Sequence, residues 1–291
     1  MIGTIIDIET TGWLKFETNP TTGVSTLSDE SEILEIGFIN IDMQTKKILT
    51  HGTLYFYKPY FHVESQAQSV HGLTREFLKQ YEGDFNKNMI ALNSLIQSGC
   101  LIGKNSEKFD IPFIKAFIDK HMGRKFDIPL LVSIAGMKKY NGGTISYADT
   151  LAALDMQKIY KDRYHELYEQ KYSIALGKGE DLQANIKAFE EKNNIQLTQD
   201  AITNYTILHN QCISSNISSK VFPIPEKPML SSTKKGKLED YVKVIPYGEE
   251  AAKIVYDSLE NKARITGAHG ALYDCVLTYI VWCDAYNNKL Y

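Results

Sequence analysis

Three short runs near the start of the chain, Thr4 to Glu9, Ile33 to Ile41 and Ile48 to Tyr57, are β-branched or aromatic in character and have the length of strands. They are expected to be neighbours in one sheet. Between the first two, Asn19-Pro20-Thr21-Thr22-Gly23 and Ser28-Asp29-Glu30-Ser31 concentrate turn formers and predict a long exposed loop. Helical patterns follow over Thr74 to Tyr81 and Asn88 to Gln97, then a short apolar strand from Cys100 to Lys104, then a helix from Asp110 to about His121. Asp110 is expected as the N-cap of that helix, with Pro112 in the first turn, where a missing N–H does no harm. Ile145 to Asp149 reads as another strand and Thr150 as the start of a further helix. Strands and helices mixed in this order predict an α/β fold around one central mixed β-sheet flanked by helices.

From Gln157 to about Pro228 the pattern changes to long, charged, tyrosine-rich helical segments, broken at Gly177-Lys178-Gly179 and near Ser214 to Ser219. Pro223, Pro225 and Pro228 mark a return linker. The expected organisation is a core of residues 1–155 and 229–291 with a helical insertion at 156–228. Lys237 to Val244 and Glu249 to Asn261 look helical, and the last strong helix, starting at or just before His269, runs to about Tyr286.

Within the insertion, Tyr160, Tyr164, Tyr168 and Tyr172 recur every four residues and share one helical face. The stripe either packs the insertion's own core or stacks on bases of a bound strand, aided by Lys158, Lys161, Arg163 and the basic run Lys234, Lys235 and Lys237.

At 291 residues, 43% hydrophobic and 23% charged, the chain has the composition of a folded enzyme-sized protein and not of a disordered or fibrous one. A net charge of -3 is unlike a protein that coats nucleic acid, but an acidic cluster in an active site would offset basic residues elsewhere in that sum. Cys100, Cys212, Cys275 and Cys283 have no Cys-x-x-Cys spacing, so neither a zinc site nor a disulfide framework is expected. Met1 to Asp7 lacks the basic region and apolar run that mark a secretory signal, and no segment approaches about 18 consecutive apolar residues, so a reduced, cytoplasmic protein with no membrane partner is expected.

The chemistry is concentrated in a few acids. Asp7 and Glu9 lie two apart in the otherwise apolar Ile5-Ile6-Asp7-Ile8-Glu9, so a strand points both carboxylates to one face. Crowded carboxylates need basic partners, solvent, or a hard dication with oxygen ligands. The following Thr10-Thr11-Gly12 permits a tight turn whose free backbone N–H groups could approach a phosphate or terminal sugar. Asn105-Ser106-Glu107-Lys108-Phe109-Asp110 puts a third carboxylate at a strand-to-helix junction. Asp274 follows His269 by five residues at the head of an otherwise apolar helix. Taken singly, each has an ordinary reading: solvated strand end, plain cap, satisfied helix polar residue.

In their order, Asp7-x-Glu9-Thr10-Thr11-Gly12, His71-Gly72-Leu73-Thr74, Phe109-Asp110 and His269-x4-Asp274 resemble the DEDDh 3′-to-5′ exonucleases, the DnaQ-like group that includes proofreading subunits of bacterial replicative polymerases. Asp149-Thr150-Leu151 and Lys237-Leu238-Glu239 match secondary motifs of that group, so the resemblance covers roughly residues 1–155 and 234–286. One departure is Gly103-Lys104-Asn105, where many relatives have Gly-His-Asn.

The resemblance implies an RNase H-like fold and two Mg²⁺ or Mn²⁺ ions held by Asp7, Glu9, Asp110 and Asp274, with Asp7 bridging and His269 taking a proton from the attacking water. It also implies that Thr10, Thr11, Gly12, His71, Leu73, Asn105 and Phe109 bind the terminal nucleotide, Leu73 against a base. The implied activity is hydrolysis from the free 3′ end of single-stranded or frayed DNA, with nucleoside monophosphates as products. An exoribonuclease would use the same carboxylates. A catalytically silent subunit of a replication assembly is the non-enzymatic alternative, which the complete set of acids opposes, and proofreading would require a separate polymerase partner.

Overall fold

The computed structural model describes residues 2–18, 21, 25–28, 30–97, 100–106, 109–123, 132–133, 152–156, 160–193, 196–223, 238–259 and 270–290. By backbone contacts the chain divides into two compact units, residues 1–160 with 247–291, and residues 161–246. The second unit therefore begins a few residues after the expected insertion start at 156 and continues past 228.

The first unit is built on a six-stranded mixed sheet in the order β5-β4-β1-β6-β8-β7. Its strands are β1 (Ile2–Thr10), β4 (Ile33–Asp42), β5 (Ile48–Tyr55), β6 (Cys100–Gly103), β7 (Val132–Ser133) and β8 (Ala152–Asp155). β1 pairs antiparallel with β4 and parallel with β6, so it is interior on both edges. Helices also pack against it, which explains its continuous apolar run, since a strand covered on both faces needs no polar alternation. Two further strands, β2 (Phe16–Thr18) and β3 (Ser25–Leu27), form a separate antiparallel ribbon where the sequence predicted only loop.

Helices cover the sheet. α1 (Ser65–His71), which the sequence reading did not find, and α2 (Arg75–Lys79) lead to α3 (Phe85–Gln97), and α4 (Asp110–Met122) follows β6. α3 and α4 close over Ile6, Ile8, Leu34, Ile36 and Phe56, burying Leu92, Ile96, Phe113, Phe117 and Ile118. The expected helix after Thr150 is corrected: residues 152–155 are β8, in parallel register with β6 (Leu101↔Ala153). Ala and Leu favour helix locally, and pairing with a central strand overrides that weak preference. The strand expected at 145–149 lies outside the described residues.

The second unit is not purely helical. Among its described residues, α5 (Lys161–Lys171), α6 (Leu182–Asn193), α7 (Gln199–Ser214) and α8 (Leu238–Val244) accompany a two-stranded sheet of β9 (Ser173–Leu176) and β10 (Lys220–Pro223). Tyr164 and Tyr168 are buried, and ring contacts run Tyr241 to Tyr164 (4.7 Å), Tyr164 to Tyr168 (6.0 Å) and Tyr168 to Tyr172 (4.7 Å). This part of the stripe packs its own unit. Tyr160 belongs to the first unit, where its hydroxyl donates to Asp284 at 2.6 Å.

The chain closes with α9 (Gly248–Ser258) and α10 (Ala271–Asn287), the latter starting after His269, which lies outside the described residues. α10 buries ten of its residues, from Ala271 to Ala285, as an apolar helix must. No described helix is long and apolar enough to cross a membrane.

One buried ion cluster fastens the loop before β4 to the end of α4. The Glu32 side chain is fully buried, Lys120 Nζ meets its Oε1 at 2.7 Å, and His121 Nε2 meets its Oε2 at 2.8 Å. A carboxylate only accepts, so His121 donates, with its ring packed between Phe61, Phe85 and Phe117. Truncating the shared acceptor leaves two donors without it. Glu32→Ala is expected to cost on the order of 3 kcal/mol in a denaturant titration, and a shift within error would show the cluster to be neutral.

Candidate active site

The site is assembled at the C-terminal end of β1. Asp7 and Glu9 face the same side of the sheet, as their spacing predicts, and in register with the antiparallel β4 they stand opposite Gly37 and Glu35. That pairing places α10. A Cβ on Gly37 would lie 2.3 Å from the backbone of Ala271 and Leu272, so only glycine lets the first turn of α10 rest on the sheet beside Asp7. Further along the same helix, Cys275 Sγ reaches the Ile5 carbonyl at 3.8 Å.

With α10 seated there, ligand atoms of Asp7, Glu9 and Asp274 all lie within 4.8 Å of one another, each carboxylate half-buried. Asp110 is buried and close enough to act electrostatically on Asp7. It is the first residue of α4 and not its N-cap, which is Phe109, so the expectation of a plain capping aspartate is corrected by one residue. Burial pushes the Asp7 carboxyl well above the usual carboxylate range, and the charges of Asp274, Asp110, Glu9 and Glu35 push it further.

Glu35 is a fifth acid that sequence reading missed. It is buried in β4 directly across from Glu9. Its signal was a charged residue between Leu34 and Ile36 in an otherwise apolar strand. A set of oxygens this close, with the charges of four other carboxylates acting on Asp7, has the donor chemistry for a hard divalent cation. Asp7, Glu9 and Asp274 fit such an ion.

Beside Glu9 opens a cavity of about 180 Å³ lined by Ile8, Glu9, Thr10, Gly12, Trp13, Glu64, Gln66, Ala67, Val70, His71 and Phe109. Of the residues expected to bind the terminal nucleotide, Thr10, Gly12, His71 and Phe109 are here. Thr11, Leu73 and Asn105 are not among the lining residues. Thr11 is fully buried, and its N–H donates to the Glu32 carbonyl at 2.9 Å, so the free backbone donor expected at this turn is occupied. Leu73 is 1% exposed and packs within the core, which leaves it no surface for a base. Asn105 takes a left-handed conformation (φ 60) in the turn between β6 and α4.

The His71 ring is structural in this arrangement. The Leu73 N–H donates to Nδ1 at 3.0 Å, so Nε2 carries the proton and donates to the Thr10 carbonyl at 3.2 Å. The exposed apolar walls are instead Trp13, 71% exposed with its ring centroid 6.2 Å from that of Phe109 in an edge-on arrangement, and Val70, 51% exposed. Neither was found by sequence reading. A tryptophan immediately after a turn glycine was the available signal.

A mixed sheet with carboxylates gathered at the end of its central strand and on a crossing C-terminal helix is the RNase H-like arrangement of metal-assisted nucleases. The chain belongs to the RNase_T exonuclease family, whose model, described as Exonuclease, matches residues 4–166, more than half of the sequence. Among solved structures it is similar to exonuclease X in complex with 5′ overhanging duplex DNA, at 11% identity and a TM-score of 0.43, covering 99% of this chain and 93% of that one. Product-bound exonuclease I is similar at 16% identity and a TM-score of 0.38, covering 74% of this chain and 43% of that one. The zinc-bound E. coli exonuclease I complex with single-stranded DNA is similar at 16% identity and a TM-score of 0.37, over 74% of this chain and 40% of that one. The chain thus spans less than half the length of those exonuclease I chains. No curated protein sequence matches.

Two outcomes follow from this geometry. A raised Asp7 pKa means that the folded state holds its proton more tightly than the unfolded state. Without divalent ions, stability is therefore lost as pH rises from the ordinary carboxylate pKa of about 4 through the folded value. Asp7→Asn should melt higher than wild type at pH 7 in a chelator, with the difference vanishing below about pH 4, and Mg²⁺ should stabilise the wild type more than the variant. Equal melting of the two at neutral pH would remove the strain argument. Gly37→Ala should lower stability by about 1 to 3 kcal/mol and weaken the Mg²⁺-induced rise in melting temperature, because α10 and Asp274 are displaced together.

Proposed function

We propose that this protein is a 3′-to-5′ exonuclease that hydrolyses the terminal phosphodiester bond of a DNA strand and releases nucleoside monophosphates. Asp7, Glu9, Asp110 and Asp274 would hold two divalent cations, Mg²⁺ or Mn²⁺. The observation that carries the reading is the convergence of Asp7, Glu9 and Asp274 within 4.8 Å around a carboxylate too crowded to ionise easily without a counter-charge. Membership of the exonuclease family supports it.

Bound cations would supply charge neutralisation for the attacking and leaving oxygens of an in-line displacement. The chain's own residues do the rest. Trp13 and Val70 offer two exposed apolar surfaces beside Glu9, suited to stacking the terminal base without regard to sequence. His71 holds the end of β1, through the Thr10 carbonyl, against the turn that follows α1. His269, two residues before α10 in the sequence, takes the role of proton acceptor by its match to the family motif. The organisation into a catalytic core interrupted by an insertion belongs to the same proposal, with the Tyr164 and Tyr168 faces assigned to packing and not to substrate.

The test is degradation of matched DNA and RNA oligonucleotides labelled at either end, in Mg²⁺. Progressive shortening of a 5′-labelled DNA strand, abolished in Asp7→Asn, is expected. Release from the 5′ end, or faster loss of the RNA strand, would overturn the polarity or the DNA preference. His269→Ala should reduce the rate by about 10² to 10⁴, and an unchanged rate would remove it from the mechanism. Trp13→Ala should raise the substrate concentration at half-saturation about five-fold or more, since a lost stacking surface is worth roughly 1 to 3 kcal/mol.

A further inference from the structure

We propose, resting on the exonuclease reading above, that Glu64 reads the Watson–Crick edge of the terminal base and gives the enzyme a preference for guanine at the strand end. Glu64 lines the same cavity as Glu9, Trp13 and Val70. It occupies the N-cap position of α1, yet its side chain makes no capping bond there. A serine, threonine or aspartate would serve that position better, so capping does not account for a glutamate.

What holds the side chain is a built cradle. Lys15 Nζ grips Oε1 at 2.7 Å and ties it through Glu30 Oε2 at 3.1 Å to the far side of the loop. The missing side chain of Gly12 provides the space: a Cβ there would lie 2.5 Å from Glu64 Cδ and 2.8 Å from each of its oxygens. The carboxylate stays accessible, with its side chain 34% exposed.

The chemistry of the occupant follows from that cradle. An ionised carboxylate only accepts hydrogen bonds. Trp13, Ala67, Val70 and Phe109 give the pocket an apolar side beside its polar walls, which include Thr10 and Gln66, and the group that fits against that side while donating to a carboxylate is a planar ring with N–H donors on its edge. Guanine offers two adjacent donors, N1–H and the N2 amino group, which match two carboxylate oxygens. Adenine and cytosine offer one amino donor beside a ring acceptor, and thymine one imino donor between two carbonyls. Lys15 neutralises part of the charge that would otherwise repel the strand's phosphates.

The test is equilibrium binding of 5′-labelled single strands that differ only in the terminal nucleotide, using the full chain carrying Asp7→Asn in Mg²⁺ so that the strand survives. The dG end should bind at least about five-fold more tightly than the dT end, a bidentate pair being worth that much discrimination. Adding Glu64→Ala should bring the four ends together, and adding Glu64→Gln, which exchanges one acceptor for a donor, should reduce the guanine advantage while keeping the shape. Melting curves of each variant verify the fold. Equal affinity for all four ends in the Glu64 parent would overturn the inference. So would a preference that follows a terminal ribose and not the base, which would assign Glu64 to the sugar. Even turnover of all four ends by wild type would leave the exonuclease standing and remove only the role of Glu64. Failure to bind or degrade any of them would remove both.

Discussion

Carboxylates crowded at one end of β1 set the terms for the rest of the molecule. Asp7 is pushed toward its protonated form by burial first and then by Asp274, Asp110, Glu9 and Glu35, so the cation-free site is a place of unfavourable free energy. A fold can hold such a cluster only where the surrounding packing overdetermines it. Here the strand carrying two of the acids is interior in the sheet, and the helix carrying Asp274 buries ten of its seventeen residues. Strong packing therefore stands directly beside unfavourable electrostatics. A divalent ion bound there would offset that repulsion, which would make ion binding and site stability two readings of one quantity.

The geometry that brings the acids together depends on an absence. Gly37 faces Asp7 across the β1–β4 pair, and its missing Cβ is the space into which the backbone of Ala271 and Leu272 fits. A second missing Cβ, at Gly12, lets the Glu64 carboxylate lie against the turn after β1. One close approach brings Asp274 to Asp7 and Glu9, and the other shapes the pocket beside them. Thr11 links the two regions: its N–H and hydroxyl bind the carbonyls of Glu32 and Glu30, and its own carbonyl accepts from Glu64. The Thr11 backbone that looked available to substrate is thus part of the scaffold, and the exposed Trp13 lines the cavity next to it.

The sequence by itself determined a great deal. Periodicity located the strands at 4–9, 33–41 and 48–57 and the helices near 88–97 and 110–121, because each carries an apolar pattern strong enough to stand alone. The pairing of Asp7 with Glu9 was legible because strand geometry alone puts them on one face. Spacing could not place Asp274 against them, and only the family resemblance implied it, since that contact spans 267 positions (274 − 7) and is set by the fit of a helix over Gly37. Residues 152–155 read as helix and fold as β8, because the edge of β6 decides what local preference leaves nearly neutral. Leu73, Thr11 and His71 bear types that could bind substrate, and only their burial shows that the core and the backbone have claimed them. Trp13, Val70 and Glu64 carry no motif of their own and become one pocket with Phe109 when three separated segments meet. Local chemistry is written along the chain, whereas which groups remain exposed after packing, and which distant acids repel one another, is a property of the folded surface and is decided only there.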